Sequence, residues 1–97
     1  MATPEGRVKA KVKVLLKKYD AYWHCPVQNG MGAPSLDFIC CLRGKYFGIE
    51  TKAGNKKPTP RQETTISEIQ KAGGRAFVVN EESGMDLLEM WLIEISD

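Results

Sequence analysis

Residues 32–52 read GAPSLDFICCLRGKYFGIETK, a Gly/Pro loop, an apolar run, an Arg43-Gly44 dipeptide and a second run that closes on Glu50-Thr51-Lys52. The spacing predicts strands over Leu36 to Leu42 and Tyr46 to Lys52, joined by a tight turn. Pairing Leu42 with Lys45 sets Asp37 directly across from Glu50, with their Cβ atoms about 4.5–5.5 Å apart. Two facing carboxylates in a half-buried place repel unless a cation lies between them or one is protonated. Period-two alternation brings Lys52 to the face of Glu50, so the triplet has the chemistry of a divalent-metal site with a cationic helper. Two alternatives stay open. Gly44 equally suits a three-residue loop with a bulge, which shifts the pairing by one, and Lys52 can simply form a salt bridge with either acid.

Working outward, Thr3 is positioned to cap a helix with Pro4 at its first place, and Val8, Val12, Leu15, Leu16 and Tyr19 recur at helical spacing. Arg7, Lys9, Lys11, Lys13, Lys17 and Lys18 cover the rest of that helix. A strand is predicted near Tyr22 to Val27, then a loop from Gln28 to Ser35. Tyr22 and Trp23 read as core aromatics, with base stacking as the alternative, and His24 reads as a wall residue without matching ligands. Beyond the hairpin, Ala53 to Pro58 is a basic loop. Thr59-Pro60-Arg61-Gln62 opens a second helix as a capping box, with Ile66, Ile69 and Ala72 on its apolar face and Gly73-Gly74 as its stop. Ala76 to Val79 is predicted as a buried strand. Ser83, with Asp86 three residues on, is expected to start a last helix carrying Met85, Leu87, Leu88, Met90, Trp91, Leu92, Ile93 and Ile95. That is more apolar surface than one buried face of a small domain uses, which points to a partner, most simply a second copy.

Ninety-seven residues form one small domain, and 42% apolar content without a run of about eighteen apolar residues reads as soluble and globular. The first residues show no secretory signal. Cys25, Cys40 and Cys41 lack metal-ligand spacing and read as reduced, small apolar packing residues. The net charge of +2 conceals a segregation: twelve of the fourteen Lys and Arg fall within residues 1–62 beside four acids, a balance of +8, while residues 63–97 carry −6. A basic portion that also holds the carboxylates suits a polyanionic substrate. Arg7, Lys9, Lys13, Lys17, Lys56, Lys57 and Arg61 are the candidate phosphate contacts, binding without reading bases.

Together these elements resemble the VRR-NUC domain of the PD-(D/E)xK nuclease superfamily. Pro34 to Asp37 stands where the family has its Pro and first metal-binding Asp, and Glu50-Thr51-Lys52 matches its ExK. Glu5 fits the acid of the first helix, and Thr59 to Gln62 followed by Ala72 to Gly74 fits the Gln helix and the strand after it. The sequence departs from the pattern in two places: Ser35 and Leu36 separate Pro34 from Asp37, and Glu63-Thr64-Thr65 lacks a large apolar residue after Gln62. The resemblance implies an α/β, restriction-endonuclease-like core in the order helix, three strands, helix, strand, helix, with a central mixed sheet flanked by helices, spanning 1–97 as a single nuclease domain. It implies that Asp37, Glu50 and the main-chain carbonyl of Thr51 bind Mg²⁺ or Mn²⁺, that Lys52 steers the attacking water, and that Glu5 and Gln62 support them, with Glu5 a further candidate ligand. Gln62 as a cap and Glu5 as a favourable charge in a first turn are the plain alternatives. By the same resemblance the protein is expected to be a structure-selective endonuclease of branched DNA such as Holliday junctions, a homodimer through its last helix, in the cytoplasm of a bacterial or phage-infected cell. A non-catalytic DNA-binding or adaptor domain of the same fold is the alternative; a sequence-specific restriction enzyme ranks lower, and RNA stays open as a substrate.

Overall fold

The computed structural model describes residues 3–27 and 35–97. The expected Pro34, and all of the predicted loop before Ser35, lie outside them. Helix α1 runs Pro4–Lys18, β1 Tyr22–His24, β2 Phe38–Leu42, β3 Lys45–Thr51, α2 Pro60–Lys71, β4 Arg75–Val79 and α3 Met85–Ser96. Two antiparallel pairings, β1 with β2 and β2 with β3, and a parallel pairing of β3 with β4 make one mixed sheet in the order β1-β2-β3-β4. This is the expected α/β architecture and element order.

The hairpin register is decided by its turn. Leu42 pairs with Lys45 and Phe38 with Ile49, and the two residues between the strands, Arg43 and Gly44, have φ of 52° and 80°. Two successive left-handed residues make the tight turn whose twist matches that of the strands. The bulged alternative is thereby excluded. Continued one step past Phe38 and Ile49, the register sets Asp37 opposite Glu50.

Each helix start follows from its side chains. Thr3 Oγ1 accepts the Gly6 amide at 2.9 Å, with Pro4 in the first turn where a missing N–H costs nothing. At α2 the capping box is complete: the Gln62 amide donates to Thr59 Oγ1 at 3.2 Å, and the Thr59 amide donates to Gln62 Oε1 at 2.9 Å. The third start differs from expectation. Gly84, with φ of 93°, precedes α3, and no side chain caps it. Asn80 accounts for this, since its Oδ1 accepts from the Glu82 and Ser83 amides and from the Ser83 hydroxyl. A Cβ on Gly84 would fall on the Val78 carbonyl oxygen, so the chain turns there because Gly permits it.

The core lies on one face of the sheet, where Val8, Val12, Leu15 and Leu16 of α1 and Leu88, Trp91 and Leu92 of α3 meet Phe38, Cys40, Phe47, Ile49, Phe77 and Val79. Phe47 and Trp91 pack edge to face with centroids 4.9 Å apart, a geometry that adds about 0.5–1.5 kcal/mol to their burial. Helix α2 lies on the other face, over β3 and β4. None of its residues is fully buried. Leu36, one of the residues that depart from the family pattern, is 2% exposed, and with Ile69 it closes over Gly48, where a Cβ would meet their methyl groups at 2.9 and 3.3 Å.

The strand of Tyr22 stops at His24, short of Val27. Tyr22 is 65% exposed, contrary to its reading as core, because β1 is an edge strand and its outward alternate residues face solvent; Trp23 packs against the core. His24 is exposed too. Of the cysteines only Cys40 is buried, and burial pushes its thiol up to about 12; Cys25 and Cys41 are exposed. Cys40 and Cys41 separate because successive strand residues face opposite sides.

Candidate active site

At the end of the sheet away from the Arg43-Gly44 turn, the starts of α1 and α2 converge on the ends of β2 and β3. Glu50 is buried there, 2% exposed. Its Oε2 accepts a hydrogen bond from Gln62 Nε2 at 3.0 Å and lies 3.4 Å from Lys52 Nζ. Its Oε1 is buried without a hydrogen-bond partner, a costly condition for a charged oxygen. Burial, and next the charge of Asp37, push the Glu50 carboxyl up to about 7, against the opposing pull of Lys52. The acid is therefore poised near neutrality.

Asp37 is held from its other side. Its Oδ2 accepts from the Thr51 amide at 2.9 Å and from the Thr51 hydroxyl at 2.7 Å. Its Oδ1 lies 3.9 Å from Lys9 Nζ, which is itself 3.8 Å from Glu5 Oε2. Lys9 thus sits between two carboxylates, placed by the one-turn spacing from Glu5 along α1.

Glu5, Asp37, Glu50, Lys52 and Gln62 all line one cleft of about 540 Å³, together with Lys9, Lys13, Cys25 and Pro26. The five residues picked from the sequence are brought together. Among the described residues no group of three His, Cys, Asp or Glu side chains stands close enough to share an ion, so the oxygen donors at hand are the Asp37 and Glu50 carboxylates and the Thr51 carbonyl. These are hard ligands of the kind Mg²⁺ and Mn²⁺ take, and the unpartnered Glu50 oxygen fits a cation.

The basic residues divide. Lys9 and Lys13 face the cleft. Arg7 and Lys11 lie near Glu81, Lys18 pairs with Glu89 at 2.9 Å, and Lys17, Lys56, Lys57 and Arg61 are exposed. Sequence reasoning missed the Thr51 side chain, considering only its carbonyl. The signal was available, because a threonine in a buried strand needs an acceptor for its hydroxyl. It also assigned Lys9 to phosphate alone and overlooked Cys25 and Pro26 as walls.

A solved structure described as a VRR_NUC domain superposes on this chain with a TM-score of 0.72 at 29% sequence identity, covering 96% of this chain and 97% of its own. The chain is thus similar in fold and sequence to a VRR_NUC domain. No family model and no curated protein matches it. That likeness supports a restriction-endonuclease-like core and a domain of nuclease type. Among the described residues, no helix is long and apolar enough to cross a membrane.

Proposed function

We propose that this domain is a metal-dependent, structure-selective DNA endonuclease that hydrolyses phosphodiester bonds of branched DNA, such as Holliday junctions, as a homodimer. The observation that carries the reading is Glu50, a buried acid with one bare oxygen, opposite a second acid and beside a lysine and a glutamine. Asp37, Glu50 and the Thr51 carbonyl would hold Mg²⁺ or Mn²⁺. A divalent ion bound there supplies Lewis acidity, lowering the pKa of water and offsetting charge on the phosphoryl oxygens. Thr51 fixes Asp37 through two hydrogen bonds, and Gln62 fixes Glu50 through one. Lys52 orients the attacking water and counters charge that develops in the transition state. Glu5 steadies Lys9 at the mouth of the cleft, where Lys9 and Lys13, with Arg7, Lys17, Lys56, Lys57 and Arg61 beyond it, draw in phosphates. Pairing would use α3, whose Leu87, Met90 and Ile93 are 66%, 64% and 47% exposed along one side.

The test is cleavage of labelled four-way junctions, flaps, splayed arms and linear duplex, each with Mg²⁺ and with Mn²⁺. Lys52→Ala and Asp37→Asn are expected to slow cutting by about 10²–10³. Undiminished cutting by either variant rejects these roles. One observation favours a non-catalytic DNA-binding reading: both acids are already matched to lysines. Calorimetric titration with Mn²⁺ separates the two, because an adaptor has no binding site that Glu50→Gln removes.

A further inference from the structure

Among the described residues, none roofs the whole of the sheet face that carries Glu50. Helix α2 lies over β3 and β4, and the register lines up an exposed row across β1, β2 and the turn end of β3: Tyr22 pairs with Cys41, and Cys41 with Tyr46. Paired residues share a face. Tyr46 and Glu50 are four residues apart on β3, hence on the same face and about 13 Å apart along the strand. Tyr22 is 65% exposed and Tyr46 46%. The Tyr46 ring is seated, since a Cβ on Gly74 would meet its Cδ1 at 3.2 Å. Between the two tyrosines Cys41 is a small floor. The turn at this end adds the exposed cation Arg43, and on the α2 side Glu68 borders the hollow beside Tyr46, which disfavours phosphates there and keeps them over β1 and β2.

We propose that Tyr22 and Tyr46 form a stacking platform for unpaired DNA bases, so that a single-stranded segment leaving the active site runs along the open sheet face toward Arg43. Exposed aromatics on a sheet face stack bases regardless of sequence, and flanking cations track the backbone. Along β1 the same face continues through exposed His24 to Cys25, which lines the carboxylate cleft, and this continuity together with the Arg43 charge selects nucleic acid over a protein partner. The inference rests on the nuclease reading and adds to it a source of selectivity, namely preference for DNA with unpaired nucleotides beside the cut.

The experiment is fluorescence anisotropy in EDTA, using a fluorescein-labelled blunt hairpin duplex and the same hairpin with a ten-nucleotide thymidine tail. Wild type is expected to prefer the tailed DNA. Tyr22→Ala and Tyr46→Ala should each weaken tailed binding by roughly 5- to 150-fold and leave blunt binding unchanged, with Tyr→Phe at either position retaining the preference. A tail carrying 5-iodouracil should photocrosslink to Tyr22 or Tyr46. Equal binding of both DNAs by wild type and the Ala variants overturns the platform while leaving the nuclease reading intact. Failure of wild type to bind either DNA overturns both. A dimer-to-monomer change on sedimentation of the Ala variants, with tailed binding unaltered, assigns the face to a second copy and likewise refutes the proposal.

Discussion

Replacing Glu50 with Gln should stabilise the metal-free protein while removing its proposed ion ligand. The carboxyl titrates at about 7 in the fold against an ordinary value of 4.5, so the folded state holds the proton more tightly than the unfolded chain does. Stability is then complete below the unfolded value and is lost as pH rises from about 4.5 through 7. At about 1.4 kcal/mol per pH unit, the loss at pH 8 comes to about 3 kcal/mol. Gln keeps the shape and an oxygen for the Gln62 amide, but it withdraws the charge facing Lys52, whose side chain is only 13% exposed; some of the gain is given back. A net stabilisation of about 1–3 kcal/mol is expected at pH 8, which for a chain of this size raises Tm by roughly 5–20 °C. The assay is thermal denaturation of wild type and Glu50→Gln in EDTA at pH 8 and pH 4.5. At the lower pH most of the advantage should vanish. Adding Mn²⁺ at pH 8 should then raise the wild-type Tm alone, by an amount worth about 2.7 kcal/mol at a hundredfold excess over Kd. A variant less stable than wild type at pH 8, or an advantage of the same size at both pH values, refutes the reasoning.

Gly84→Ala forces a Cβ against the Val78 carbonyl at a left-handed residue and should destabilise the fold by about 2 kcal/mol or more, read as a lowered urea midpoint. Leu87→Glu combined with Met90→Glu places charges on the exposed stripe of α3; sedimentation should report a monomer with unchanged melting, whereas a wild type already monomeric at micromolar concentration dismisses pairing through this helix.

Much of the site was legible because it depends on local rules. The two-residue turn at Arg43-Gly44 fixes the register, and the register alone brings Asp37 opposite Glu50. The capping box at Thr59 announced both the start of α2 and the position of Gln62. What escaped depended on competition between near neighbours or on contacts far apart in the chain. Ser83 looked like a cap, but Asn80, three residues earlier, captures its hydroxyl. Tyr22 looked like core because an aromatic in a strand usually is, and nothing in its own sequence tells that no helix among the described residues covers that part of the sheet. The two hydrogen bonds from Thr51 to Asp37 join residues fourteen apart, and periodicity does not report which buried hydroxyl finds which acid.

Gln62 faces two ways at once, its Oε1 receiving the Thr59 amide and its Nε2 reaching Glu50. A glutamate there would serve the helix but crowd a third anion against the pair, and a lysine would serve the anion but leave the helix start bare. Only a carboxamide of this length meets both demands. Fraying of the first turn of α2 therefore slackens the grip on Glu50, so the more this turn unwinds the less firmly the acid is aimed.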